Sequence, residues 1–177
     1  MDGHVLVVTG PRASGKTTCS RTAHDGLPGS LLLHVDDLFH SIIGQDRGRW
    51  DGREADLYAL VLYHELLLAR RLAVECGVII VDATLLPDQL EPLVTGTDPP
   101  IVEVLVLLPP LATCLDHETR TGRTVPACDD KVRTTWQEMQ AWRTNAGEHV
   151  TLAEKTGYET LATLALVVQR LLSSGAN

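Results

Sequence analysis

The sequence, 177 residues long, is short of positive charge and especially of lysine. Fifteen lysine and arginine residues stand against 23 aspartate and glutamate residues, so the formal net charge is −8 at pH 7. Lysine occurs only at Lys16, Lys131 and Lys155. Because an acidic surface repels the phosphates of a nucleic-acid backbone, this composition argues against a protein that wraps DNA or RNA, and we expect no nucleic-acid partner.

Cysteine is also sparse, and long apolar runs are absent. The four cysteines are widely spaced without a C-x-x-C pair, which argues against zinc or redox motifs and against a disulfide framework. No apolar stretch approaches the roughly 18 residues that span a bilayer. The first residues lack the positive charge with which a signal peptide starts. We therefore expect a cytoplasmic protein with no membrane partner.

Short apolar runs alternate with longer helical patterns along the whole chain. The runs that predict strands are residues 4–9, 31–35, 78–81, 101–108 and 150–153. The longest helical pattern covers residues 55–75 and ends before Gly77. Strands separated by helices need crossover connections, so residues 1–177 are predicted to form one doubly wound α/β domain around a mostly parallel five-stranded sheet with helices on both faces. Segments 44–54 and 121–130 are predicted to be irregular.

Residues Gly10 to Thr17 match the phosphate-loop (P-loop) motif G-x-x-x-x-G-K-[ST] at every position. The match lies between a predicted strand and a predicted helix, as the motif requires. Loop N–H groups and the helix start can cradle a phosphate chain, while Lys16 reaches the β- and γ-phosphates and the Thr17 hydroxyl coordinates Mg²⁺. The predicted nucleotide-binding residues are Gly10, Pro11, Arg12, Ala13, Ser14, Gly15, Lys16, Thr17 and Thr18.

A P-loop predicts nucleotide binding and leaves the chemistry open. A GTPase needs a D-x-x-G switch and an N-K-x-D motif, but residues 82–85 read Asp-Ala-Thr-Leu and N-K-x-D does not occur. A mechanical ATPase is usually a longer chain. These exclusions favour a small kinase.

Two carboxylates follow predicted strands at the edge where an open parallel sheet binds its ligands. Asp36 follows the second strand, where it can accept the proton of an attacking hydroxyl, so it is the predicted catalytic base. Asp37 is the alternative base, and either residue could instead cap a short helix over residues 38–43. Asp82 ends the third strand in the manner of a magnesium-binding acid, with a simple strand-end cap as its alternative.

Two arginines, Arg120 and Arg123, follow the helix after the fourth strand. On a lid over residues 118–130 they could close over ATP and neutralise charge that develops on the transferred group. The alternative is a solvated helix end, where arginine also favours the helix dipole. We predict a catalytic role for both.

These features resemble the small P-loop kinases, and most of all the chloramphenicol phosphotransferase-like kinases. The resemblance rests on the P-loop, on Val35-Asp36-Asp37-Leu38, on Ile79-Ile80-Val81-Asp82 and, loosely, on residues 117–123. It implies a sheet ordered 2-3-1-4-5, a short lid, ATP with Mg²⁺, and Asp36 as the base that deprotonates an alcohol. His117 stands where the family has a lid arginine.

Residues 45–53, which come after the predicted base, form an unusual stretch with three arginines around a tryptophan. Such a stretch could clamp an anionic acceptor and stack on a ring, or it could be a solvated loop with the tryptophan packed inward. The predicted substrate residues, on a loop over about residues 37–54, are Asp36, Asp37, Arg47, Arg49, Trp50 and Arg53. Nearby, Tyr58 and His34 are interpreted as core residues of a helix and a strand.

The sequence thus predicts an ATP- and Mg²⁺-dependent kinase that phosphorylates a hydroxyl of a small molecule of the antibiotic or secondary-metabolite type. A nucleoside, nucleotide or nucleotide sugar is the alternative acceptor. A nucleotide-binding regulatory module without turnover is the alternative class. The oligomeric state stays open, with a homodimer as one option.

Overall fold

A computed structural model describes residues 3–44, 52–95, 100–120, 126–145 and 147–174, with residues 126–128 described by their backbone alone. Within these residues five strands form one parallel sheet in the order β2-β3-β1-β4-β5, which confirms the predicted order. The strands are β1 (His4–Thr9), β2 (Leu31–His34), β3 (Val78–Asp82), β4 (Ile101–Leu107) and β5 (Val150–Ala153).

Helices cover both faces of the sheet. Residues of β1 alternate between the two faces, since Val5 and Val7 belong to one apolar cluster and Leu6 and Val8 to the other. The first cluster includes α2 and α3, and the second includes α1 and α8. The helices of the described residues are α1 (Lys16–Gly26), α2 (Val35–Ile43), α3 (Glu54–Cys76), α4 (Glu91–Val94), α5 (Leu111–Arg120), α6 (Pro126–Glu138), α7 (Ala141–Thr144) and α8 (Tyr158–Ser174).

Two segments are helical where the sequence predicts the end of a strand in one case and irregular structure in the other. The second strand ends at His34, and α2 begins at Val35, with Asp36 and Asp37 in its first turn where the positive end of the helix dipole favours carboxylates. Residues 126–130, expected to be irregular, are the start of α6, which opens on Pro126 and carries Asp129 in its first turn. None of the described helices combines the length and the apolar character needed to cross a membrane.

Candidate active site

The P-loop turns sharply between β1 and α1. At Gly10 a Cβ atom would lie 2.3 Å from the carbonyl oxygen of Leu107, so a side chain cannot fit there. Ala13 and Gly15 then adopt positive φ angles of 61° and 94°. These turns place the backbone of the loop around the first turn of α1, which begins at Lys16.

The loop has the features that a phosphate chain requires. No side chain caps the start of α1, so its first N–H groups remain available to an anion. The Ser14 hydroxyl is buried and has no hydrogen-bond partner among the residues that the structure describes. Lys16 is 8% exposed, and its Nζ donates to the Pro11 carbonyl oxygen at 3.2 Å. Unmet donors beside a buried cation fit the polyphosphate of ATP.

The charge of Lys16 also interacts with the two acidic residues that the sequence predicts for the site, Asp36 and Asp82. Burial lowers the pKa of Lys16, whereas the negative charges of Asp36 and Asp82 act to raise it. The lysine therefore lies within electrostatic reach of both carboxylates. A phosphate group at the loop would add a further negative partner for the ammonium group.

Asp82 is the last residue of β3 and is 5% exposed. Its Oδ2 atom accepts a hydrogen bond from Ser20 Oγ at 3.2 Å and lies 2.9 Å from His34 Nδ1. His34 pairs with Asp82 in the register of β2 and β3, which brings the two strand ends together. Two partners on one oxygen hold the carboxylate in a single orientation.

The residues that would hold magnesium are Thr17 and Asp82. Across the described ranges no group of three or more His, Cys, Asp and Glu side chains is arranged to bind a metal. Mg²⁺ rarely needs such a cage, because it keeps several waters and takes its other ligands from substrate phosphates and one or two protein oxygens. A hydroxyl beside the P-loop and a fixed carboxylate fit that requirement.

Asp36 lies in the first turn of α2 and lines the same cleft as the P-loop. Its Oδ1 atom accepts a hydrogen bond from the Tyr58 hydroxyl at 3.1 Å. The Tyr58 oxygen in turn accepts the backbone N–H of Thr84 at 3.0 Å. The predicted base is therefore held by α3 and by the segment that follows β3.

The cleft that the P-loop and Asp36 line has a volume of about 950 Å³. It is lined by the P-loop, α1, α2, α3, the segment after β3, α5 and α6. The apolar residues and rings in its lining include Phe39, Ala55, Tyr58, Ala59, Leu86 and Met139. This volume is large enough for a nucleotide and part of a second small molecule.

The apex of the P-loop is fastened to α5 and α6. The Arg12 guanidinium bonds Glu118 Oε1 through Nε at 3.0 Å and a terminal nitrogen at 2.9 Å, and Glu118 is 3% exposed. His117 Nδ1 lies 3.2 Å from the Ala13 carbonyl oxygen. The Arg12 backbone N–H donates to Thr135 Oγ1 at 3.3 Å. His117, which stands where the family resemblance leads one to expect a lid arginine, thus contacts the P-loop itself.

The remaining predicted site residues do not all line the cleft. Arg120 lines the cleft, but its guanidinium pairs with Asp116 at 2.6 Å on the exposed side of α5. Asp37 and Arg53 are exposed and do not line the cleft. Arg47, Arg49, Trp50 and Arg123 lie outside the described residues, as does most of the proposed substrate-side loop.

Sequence reasoning missed several residues of the site. Tyr58 was interpreted as core, and a tyrosine at helical spacing carries no local sign that its hydroxyl meets a carboxylate. His34 was interpreted as a buried strand residue, although its position at the end of a strand beside β3 was a usable signal. Nothing local indicates that Glu118 pairs with Arg12.

Comparisons with known proteins identify the fold. The sequence matches no protein-family model, and it matches no curated protein. Among solved structures, shikimate kinase from Acinetobacter baumannii superposes with a TM-score of 0.66 at 16% identity, over 100% of this chain and 97% of that one. A gluconokinase from Sinorhizobium meliloti gives 0.66 at 16% identity, over 98% of each chain. The tunicamycin resistance protein of Deinococcus radiodurans gives 0.63 at 20% identity, over 95% of each chain. The chain therefore has the fold of the small P-loop kinases.

Proposed function

We propose that this protein is an ATP- and Mg²⁺-dependent kinase that transfers the γ-phosphoryl group to a hydroxyl of a small molecule. The observation that carries the proposal is that the P-loop lysine and a carboxylate at the start of α2 line one cleft. Both residues line this cleft and the Asp36 charge acts on Lys16, which supports a phosphate site at the lysine and a base at the carboxylate. A P-loop without an adjacent carboxylate would support nucleotide binding alone.

In this proposal each side chain has a defined task. Lys16 and the N–H groups at the start of α1 hold the phosphates, and Thr17 and Asp82 hold the metal. Asp36 accepts the hydroxyl proton as the acceptor oxygen bonds to the γ-phosphorus and the bond to the ADP oxygen breaks. Magnesium bound with ATP neutralises charge on the phosphoryl oxygens. Arg120 and Arg123 add positive charge from the lid side.

The lining of the cleft favours an acceptor with an apolar body, such as an antibiotic or another secondary metabolite. The rings of Phe39 and Tyr58 meet edge to face with centroids 5.2 Å apart, and both line the cleft together with Leu86 and Met139. Small-molecule sites combine apolar walls of this kind with a few polar groups that fix orientation. The motif around Asp36 supports placing the chain with the chloramphenicol phosphotransferase-like kinases.

The test is ADP release from Mg²⁺-ATP against a panel of hydroxylated antibiotics, nucleosides, nucleotides and polyols. One acceptor is expected to stimulate release, and Asp36→Ala is expected to reduce that stimulated rate at least about 100-fold, the lower end of a general base's contribution. Asp37→Ala removes the same charge from the same helix turn without touching the cleft, so it is expected to retain turnover.

Two results would overturn parts of this proposal. If Asp37→Ala abolishes turnover and Asp36→Ala does not, the base is Asp37. If ATP binds but no acceptor raises ADP release above the Asp36→Ala level, the regulatory-module alternative is favoured. Titration calorimetry with a non-hydrolysable ATP analogue on both variants separates loss of binding from loss of chemistry.

A further inference from the structure

We propose that Tyr58 is a positioning residue that fixes the orientation of the Asp36 carboxylate and leaves Oδ2 as its proton-accepting oxygen. The inference rests on the proposed function, because it concerns the base of that reaction. It adds a residue whose hydroxyl acts through Asp36.

The direction of the Tyr58 hydrogen bonds is decided by the Thr84 amide. A backbone N–H can only donate, so the Tyr58 oxygen must accept from Thr84 N at 3.0 Å. The single phenolic proton is then free to point at Asp36 Oδ1, 3.1 Å away. The backbone after β3 therefore orients the phenol, and the phenol orients the base.

The surroundings of Tyr58 keep the phenol in its donating form. Burial and the neighbouring Asp36 charge both raise the pKa of Tyr58 far above its usual range. Its ring is further held by the edge-to-face contact with Phe39 of α2. A rigid neutral donor suits an exposed carboxylate that would otherwise sample several rotamers.

The two carboxylate oxygens consequently differ. Oδ1 is occupied by the Tyr58 hydrogen bond, whereas no hydrogen bond to Oδ2 is formed by the part of the chain that the structure describes. In the transfer step the acceptor O–H bond breaks, its proton moves to Oδ2, and the acceptor oxygen bonds to the γ-phosphorus as the bond from that phosphorus to the ADP oxygen breaks and ADP leaves. Tyr58 keeps its own proton throughout and stabilises the carboxylate before the transfer.

The test is Tyr58→Phe, which removes one hydroxyl and leaves the ring. We expect the acceptor-stimulated kcat to fall about 10- to 100-fold, the range for a hydrogen bond to a charged group, while KM for Mg²⁺-ATP stays unchanged. Tyr63→Phe is the matched control, since Tyr63 lies on the same helix, 47% exposed and outside the cleft lining.

A second arm measures the bond without turnover. In urea unfolding, Tyr58→Phe and Asp36→Ala remove the same hydrogen bond, so the double variant should be less destabilised than the sum of the single variants. Strict additivity would overturn the inference, and so would full activity of Tyr58→Phe beside an inactive Asp36→Ala. If Asp36→Ala keeps full acceptor-stimulated activity, the proposed role of Asp36 as the base fails instead, and the unfolding cycle still decides whether Tyr58 holds Asp36.

Discussion

Buried acidic side chains in this protein differ in whether they have a partner. Asp82 is held by Ser20 and His34, and Glu118 is held by Arg12. Glu65, on the buried face of α3 and 9% exposed, has no hydrogen bond or ion pair within the described parts of the chain. Burial alone raises the pKa of Glu65. Its charge is therefore a cost to the folded state.

That cost should depend on pH in a definite direction. The pKa of Glu65 is higher folded than unfolded, so the unfolded chain releases this proton first as pH rises above about 4.5, and folding stability is lost across that window. Glu65→Gln should accordingly raise the free energy of unfolding at pH 7 and raise it less at pH 4.

Urea unfolding at the two pH values measures this difference. Glu75→Gln, on the exposed part of the same helix, is the control and should change stability little, because its pairing with Arg71 is solvent-exposed. A loss of stability in Glu65→Gln that is larger at pH 7 than at pH 4 would show that the ionised carboxylate has a favourable partner, and it would contradict this account.

At the scale of the elements, the P-loop owes its shape to helices far from it in the chain. Glu118 and His117 near the end of α5 hold Arg12 and Ala13, and Thr135 of α6 holds the Arg12 backbone. The loop N–H groups are thereby arranged before any nucleotide binds. Preorganisation of this kind strengthens binding by reducing the ordering that binding must impose.

Removing that support should weaken nucleotide binding. Glu118→Ala is expected to raise the Kd of a non-hydrolysable ATP analogue up to about tenfold, equivalent to 1.4 kcal/mol, and to lower the melting temperature. Isothermal titration calorimetry and thermal unfolding measure the two effects. Glu154→Ala, which removes an exposed ion pair with Arg143, is the control and should leave Kd unchanged. An unchanged Kd in Glu118→Ala would mean that the loop holds its shape alone.

The strands and the motif residues could be predicted because their signals are local. All five strands are short, mostly apolar runs, four of them preceded within two residues by Gly or Pro, and the P-loop is contiguous. The starts of α2 and α6 were wrong because carboxylates and proline that suit a first helical turn also suit loops. The contacts of Tyr58, His34 and Glu118 join residues 22, 48 and 106 positions apart, and no local pattern encodes such pairings.

Across the whole molecule, a second charged cluster lies away from the cleft. Glu103, on the amino-terminal half of β4, is fully buried. It bonds Arg170 of α8, with Nε at 2.8 Å, and lies 3.1 Å from His149 Nδ1. The hydrogen bond to Glu103 raises the pKa of Arg170. This cluster ties α8 and the start of β5 to the sheet.

The two partners should differ in what their loss costs. Arg170→Gln leaves a buried carboxylate with only His149, so we expect a loss of about 2 kcal/mol, below the range for fully buried pairs because Arg170 is partly exposed. Glu103→Gln keeps an acceptor for Arg170 and removes the buried charge. A smaller loss in the free energy of unfolding, about 1 kcal/mol, is therefore expected. Urea unfolding ranks the two, and the reverse ranking would contradict this account. The affinity for nucleotide should change in neither variant.

The contacts that hold the P-loop also limit whether its sequence could be transferred to another protein. Arg12 and Ala13 occupy positions that the motif leaves free to vary, yet here they are matched to Glu118, His117 and Thr135. If residues 10–17 were grafted into another protein, the side chains that hold Arg12 and Ala13 here would be missing. A consensus loop grafted into this chain would likewise remove the Arg12 partner of the buried Glu118. In this protein the P-loop is therefore matched to α5 and α6 and is not an independently exchangeable segment.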